Sequence, residues 1–345
     1  MNRLMCLLVV AGLLFPAGPA AHAQGNGVSK TGTVAGTFLE IPVGAAAVGM
    51  GGAFVSVAND VTTLYWNPAG LVSLPSTEAV AVHSTWIAQT NFDYAGIAIP
   101  LGGAGTFGFS ITSLSMQDML VRTVELPEGT GEYFSAGDIA VGISYARGLT
   151  DRFAIGFTAK YIQESIWHES ATAFALDVGT TFRTDLIGGL TIGASLSNFG
   201  TQMKLAGRDT RSFGRVDPSK LGSNDQIPSN TELDAWDLPL LFQIGVSTSP
   251  VKTEEFRWTV AADALHPNDN YESVNLGTEL AYQEFFTIRG GYNSAFLKDS
   301  EGGLSLGVGL SSSSLFGSMV IKFDYAYRNM GRLDNVHVFS LGARF

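Results

Sequence analysis

From about residue 77 to the end of the chain, apolar and polar residues alternate with a period of two, and nothing else in the sequence constrains the fold as strongly. Phe153, Ile155, Phe157, Ala159 and Tyr161 share one parity, while Arg152, Gly156, Thr158 and Lys160 take the other. Phe256, Trp258, Val260 and Ala262 alternate with Arg257, Thr259 and Asp263 in the same way, and Met319, Ile321, Phe323, Tyr325 and Tyr327 with Lys322, Asp324 and Arg328. Fourteen segments of this kind can be marked, at 77–89, 91–100, 104–117, 136–149, 151–164, 171–184, 189–199, 238–250, 255–264, 271–283, 285–293, 303–312, 316–328 and 336–345. Most are close to the roughly ten residues that cross a bilayer as a tilted strand. Parity is weakest in the first two.

The mean hydropathy is +0.19, yet after residue 23 no uninterrupted apolar run reaches the ~18 residues of a spanning helix. In hydrocarbon every backbone polar group must be paired within the protein, which leaves helices and closed barrels as the spanning structures. The expected fold is therefore all-β, a 14-stranded antiparallel transmembrane β-barrel over 77–345, preceded by an N-terminal plug over 24–76. A charge on the lipid face at mid-depth costs about 2–4 kcal/mol, and the strand charges accordingly fall on the polar parity. Arg147, at a strand end, departs from that rule. Connections sort by length as well. Those at 101–103, 150, 185–188, 251–254, 284 and 313–315 are short, whereas the opposite end carries 118–135 and 200–237. Short periplasmic turns and long external loops are the habit of outer-membrane barrels. A water-soluble β-sandwich also alternates, but it predicts neither the uncharged aromatic faces nor this sorting.

Residues 1–23 have the form of a signal peptide. Arg3 is followed by an apolar stretch from Leu4 to Phe15 and by Ala21-His22-Ala23, with cleavage expected near Ala23. Removing them takes away Arg3 and no acid, so the formal charge moves from −11 to −12. That balance argues against nucleic acid as a partner. Cys6 is the only cysteine, so the processed chain has no thiol chemistry, disulfide or Cys-ligated zinc. An exported barrel of this kind is expected in the cell outer membrane, with membrane lipids around it.

The plug segment contains Gly49-Met50-Gly51-Gly52, Asn59-Asp60 and Asn67-Pro68-Ala69-Gly70. Its glycines suit close backbone approach to a wall. Asn59 or Asp60 can cap a turn, Ala53 to Ala58 suits a turn-rich or helical piece, and Pro68 stops a helix from running through Asn67. Gly49, Gly51, Gly52, Asp60, Asn67, Pro68 and Gly70 are the expected plug motif. The glycine cluster lacks the Lys-Ser/Thr ending and βαβ context of a phosphate loop. Asn67-Pro68-Ala69 lacks the helical spans of an aquaporin-type pore.

The run from Glu40 to Ala53, with Asn59-Asp60 and Leu64-Tyr65-Trp66-Asn67-Pro68-Ala69-Gly70-Leu71, resembles the N-terminal signature of the PorV/PorQ family, FadL-like outer-membrane barrels of 14 strands. The Asn-Pro-Ala piece is shared with FadL-type transporters. The resemblance implies a role in type IX protein secretion, with exported cargo or a secretion-system component as partner. Where the family often has Arg this chain has Ala46, so polar contacts at that place do not carry over.

Charges on the inner parity include Arg152, Lys160, Asp177, Arg257, Asp263, Glu279, Arg289, Lys322 and Asp324. A nearly balanced set reads as an ion-pair network between plug and wall; a polar path or an Arg/Lys grip on a fatty-acid carboxylate is the functional alternative. His83, His168, His266 and His337 share no metal-ligand spacing, and His83-Ser84 has no placed acid, so neither a metal, a cofactor nor an enzyme activity is expected. The loop carboxylates lack EF-hand spacing. Loops 118–135 and 200–237 carry Phe134, Phe213, Leu221 and Trp236 among charges, a pattern suited to a protein partner. Two functions follow as expectations: a secretion barrel that holds cargo or surface partners, or a FadL-type channel for fatty acids or other hydrophobic small molecules.

Overall fold

The structure, a computed structural model, describes residues 30–57, 60–214, 219, 226–297, 300, 303–316 and 319–345. The expected signal peptide and its cleavage point lie outside them. No helix among the described residues is long and apolar enough to cross a membrane.

Fourteen antiparallel strands close into a barrel. The first half comprises β1 (Glu78–Thr85), β2 (Asn91–Pro100), β3 (Thr106–Ser115), β4 (Ala136–Gly148), β5 (Phe153–Ile166), β6 (Glu169–Thr184) and β7 (Leu190–Gly200). The second comprises β8 (Leu241–Lys252), β9 (Phe256–Pro267), β10 (Ser273–Tyr282), β11 (Phe286–Ala295), β12 (Leu304–Phe316), β13 (Met319–Arg328) and β14 (Val336–Arg344). The seam joins β1 to β14, with Glu78 opposite Arg344 and Thr85 opposite His337. Each strand is hydrogen-bonded on both sides, so no edge is left to satisfy.

The wall is apolar outward. Phe109, Ile143, Phe157, Trp258, Leu280, Leu306, Phe323 and Leu341 are all exposed on the outer face. A surface of this extent belongs against lipid rather than water. The short connections 101–105, 149–152, 185–189, 253–255 and 283–285 gather at one end. Those at 116–135 and 201–240 lie at the other. They carry small hairpins, Met119–Leu120 with Tyr133–Phe134 and Arg211–Gly214 with Ile227–Asn230.

The first strand ends at Thr85, earlier than the 77–89 expected, because Trp86–Gln89 turn back in a short 3-10 piece with Ala88 at a φ of 57°. Its weak parity has a physical cause. Val80, Val82, Phe92, Tyr94 and Ala98 face inward yet are apolar, since they pack with Phe38 and Leu64 in one buried cluster. Both faces of β1 and β2 thus demand apolar residues for different reasons.

Residues upstream of β1 run inside the barrel. They begin at the long-connection end, where Val34 bridges Asp237, and leave at the short-turn end, where Ser73 accepts a bond from Arg183. Between these points lie a 3-10 turn at Thr37–Glu40, helix α1 (Ala45–Gly49), helix α2 (Thr63–Trp66) and a 3-10 turn at Pro68–Ser73. A helical piece falls on Ala45–Gly49, and of the stretch Ala53–Ala58, expected to be turn-rich or helical, residues 55–57 form a turn. Alanine has the highest helix propensity, and its small side chain lets every residue of α1 be buried. Asn67 caps the last turn, its Oδ1 accepting from Ala69 N at 3.2 Å, and Pro68 opens that turn instead of only ending the previous one.

Candidate functional site

The inner segment follows the wall strand by strand, and at many of the crossings the wall presents a glycine. A Cβ on Gly307 of β12 would meet Gly49, one on Gly291 of β11 would meet Met50 and Gly51, and one on Gly277 of β10 would meet Met50. Gly245 of β8 and Gly193 of β7 face Val55, Gly179 of β6 faces Asn67 and Pro68, Gly156 of β5 faces Pro68 and Ala69, and Gly108 and Gly96 face Leu64. Three of these contacts come from glycines directly opposed across strands: Gly277 with Gly291, Gly193 with Gly245, and Gly156 with Gly179. Gly51 and Gly52 of the segment have φ of 66° and 76°, which L side chains rarely adopt, so the approach demands glycine on both partners.

Hydrogen bonds fix the track. Asp263 Oδ2 accepts from the backbone of Phe54 at 2.7 Å and Val55 at 2.9 Å. Asn67 Nδ2 donates to Val55 O at 2.8 Å and to Thr180 O at 3.0 Å. Ser340 accepts from Ala45 N at 2.8 Å. Asp60 accepts from Thr62 N at 2.8 Å, capping the turn into α2. Gly70 is buried in the last turn.

Toward the short-turn end the lumen holds a charge network. Glu279, 1% exposed, accepts from Arg289 Nε at 2.7 Å and from Arg257 Nη1 at 2.8 Å. Arg289 also reaches Asp324 at 2.5 Å, and Arg257 forks onto Glu284 at 2.7 and 2.9 Å. Those bonds from Arg257 hold the Glu284 carboxyl, which sits in a turn, below its usual value. Lys322 and Asp60 line two small cavities beside this network, of about 20 and 60 Å3. Lys160 and Asp177 form a separate pair at 2.7 Å. Arg152 stands apart from the lumen: it lies in the turn before β5, largely exposed, and pairs with Asp185 of the next turn at 2.8 Å. Its parity continues that of β5, but the strand has already ended.

At the long-connection end, a cavity of about 130 Å3 lies between the inner segment and the wall. The segment contributes Leu39, Glu40, Pro42, Val48, Tyr65 and Trp66; the wall contributes Lys160, Asn198, Gln243, Asn275, Asn293, Ser305 and Arg328, with Leu241 and Leu265. Tyr65 donates to Leu39 O at 3.0 Å, and burial, then Glu40, push its phenol well above the usual range. Burial first and Asp269 second push the Glu40 carboxyl up to about 7. Asn293, its amide oxygen turned inward, accepts from Arg328 Nη2 at 2.8 Å and donates to Gly303 O at 3.0 Å.

Sequence reasoning placed Arg328 on the polar parity but gave neither it nor Ser305, Asn293, Tyr65 and Glu40 a role. Parity assigns a face; it does not show which faces converge on a void. Of the loop residues, Phe134 and Phe213 sit on separate hairpins, Phe213 exposed, while Trp236 borders a second cavity of about 370 Å3 with Met203 and Leu205. Leu221 lies outside the described residues. His83 faces outward and pairs with Asp93 at 2.8 Å. Among the described residues no group of three or more His, Cys, Asp or Glu is placed to hold a metal ion.

Residues 16–226 match the model of an uncharacterised protein family, UPF0164. No curated protein matches the chain. Among solved structures, the toluene transporter TbuX of Ralstonia pickettii is 12% identical, with a TM-score of 0.55 over 88% of this chain and 98% of that one. The toluene transporter TodX of Pseudomonas putida is 12% identical, with a TM-score of 0.53 over 87% and 96%. A FadL homologue of Pseudomonas aeruginosa is 13% identical, with a TM-score of 0.50 over 88% and 98%. Identities this low establish a shared fold, that of FadL-type transport barrels.

Proposed function

The chain belongs to the uncharacterised protein family UPF0164, and on that premise we propose that it is an outer-membrane barrel that takes up small hydrophobic molecules, binding them at its external mouth. The observation that carries this reading is the cavity of about 130 Å3. It is close to the roughly 150 Å3 of an engineered cavity that accepts benzene, and Leu39, Pro42, Val48, Trp66, Leu241 and Leu265 give it an apolar side against which the wall sets polar groups. It lies at the end with the long connections, which is the external side in barrels of this kind. The solved barrels of the same fold include two described as toluene transporters.

The protein-secretion role implied by the PorV/PorQ resemblance has no counterpart among these relatives. Its support is the sequence signature over 40–71 and the aromatic residues Phe213 and Trp236 exposed on the long connections. Equilibrium binding of toluene to the purified barrel in lipid nanodiscs tests the main reading. Saturable binding is expected, and Val48→Phe, which fills the void from α1, should remove it. Toluene binding that is absent, or unchanged in the filled variant, overturns the proposal. Co-purification of an exported protein from such a barrel would then favour the secretion role.

A further inference from the structure

Two polar atoms on residues that line the cavity have no partner among the described residues, and they belong to neighbouring strands. Arg328 Nε is buried without a hydrogen-bond acceptor, and so is Ser305 Oγ, on a residue that is 0% exposed. Ser305 of β12 and Arg328 of β13 are directly opposed in register and line the same void. A buried donor left unmade costs more than most hydrogen bonds contribute, and a desolvated guanidinium requires compensation.

The other charges near the cavity do not supply it. Among the described residues no carboxylate lies within ion-pair distance of Arg328, whose one bond is to the neutral Asn293 amide. Lys160 and Asp177 neutralise each other, and Lys160 also donates to Asn198 at 2.8 Å. Tyr65 remains a neutral phenol. Glu40 sits in the lining too, but its carboxyl, lifted to about 7 by burial and Asp269, is only partly charged at neutral pH. The contrast with Arg257, Arg289 and Arg344, each beside a carboxylate, marks Arg328 as a cation whose partner comes from elsewhere.

We infer that Arg328 and Ser305 form the anion-recognising end of the cavity, and that its ligand is a small organic acid with an apolar body about the size of one ring and a carboxylate against the guanidinium. This rests on the small-molecule reading above and narrows it from hydrocarbons to acids. One carboxylate oxygen accepts a charge-assisted bond from Arg328 Nε and the other accepts from Ser305 Oγ. The apolar body faces Val48 and Trp66 of the inner segment.

Benzoate and toluene share a ring and differ in the carboxylate, so they serve as matched probes for the full-length barrel in nanodiscs, followed by equilibrium dialysis. Wild-type protein should bind benzoate saturably. Arg328→Met should weaken benzoate by about tenfold or more, a loss several-fold greater than any change in toluene. Ser305→Ala should weaken benzoate by a few-fold. Arg328→Lys retains the charge but loses the Nε donor, and should fall between wild type and Arg328→Met. Benzoate affinity unchanged in Arg328→Met, or in both Ser305→Ala and Arg328→Lys should Arg328→Met fail to fold, overturns the inference. Toluene bound and benzoate refused also overturns it while leaving the small-molecule reading intact. Neither probe bound removes both.

Discussion

The two ends of the lumen treat positive charge in opposite ways. Near the short turns, Arg257 and Arg289 share Glu279 and are completed by Glu284 and Asp324, so nothing remains to bind. Near the long connections, Arg328 has an amide for company and a void in front of it. The same side chain is a strut in one place and a receptor in the other, and the difference lies in what the neighbouring strands bring to its level. A balanced cluster holds β9, β10, β11 and β13 together; a cation without a carboxylate holds nothing and is retained at a cost to stability.

The comparison breaks hardest at Glu279. Glu279→Ala leaves two guanidinium groups short of a partner inside the barrel, and should destabilise it by about 3–5 kcal/mol, read as a fall in the unfolding midpoint in urea. A loss under about 1 kcal/mol would show that water already serves the network. Next is the wall between the two ends. Gly291→Ala would drive a Cβ into the backbone of Met50 and Gly51, and overpacking of this kind costs about 1–3 kcal/mol. Because Gly51 also lines the cavity, the same variant should weaken toluene binding, whereas Glu279→Ala should leave it alone. Arg328→Met should change stability by about 1 kcal/mol or less, in either direction, since an unpaired buried cation contributes little to the fold. A penalty as large as that of Glu279→Ala would make Arg328 a strut after all.

The smallest expected effect is a pH dependence. Glu40, lifted to about 7, is neutral below that value and gains its negative charge as pH rises through it. Benzoate should therefore bind a few-fold more tightly at about pH 6 than at about pH 8. Glu40→Gln should flatten the profile at the tighter level, and an unaltered profile would assign the titration to Asp269.

Much of the wall was legible because lipid outside and polar groups inside impose alternate residues on a strand such as β5, where Phe157 and Thr158 face opposite ways. The inner segment was harder. Its glycines were read as suited to close approach, but the glycines it approaches lie in the strands, where Gly245 or Gly277 carries no apolar or polar signal and drops out of the alternation. Arg328 shows the other limit. Its parity is visible from the alternation over 319–327, but that β12 opposes it with Ser305 rather than an acid depends on register, which alternation does not encode. Arg152 failed for the converse reason: the parity continued one residue past the end of the strand.

The inner segment enters at one end of a closed ring and leaves at the other. It is joined to β1, half of the seam. Such a strand through a loop can arise in two orders: the leading end passes through a finished ring, or the ring shuts around it. In the first, Phe38, Phe54 and Trp66 would all travel through a bore that they now fill. In the second, the glycines of β5 to β12 form an open trough in which the segment lies before β14 meets β1. Once the seam has shut, the segment is captive like a bead's cord, and drawing it out means breaking either its whole track of contacts or the ring itself.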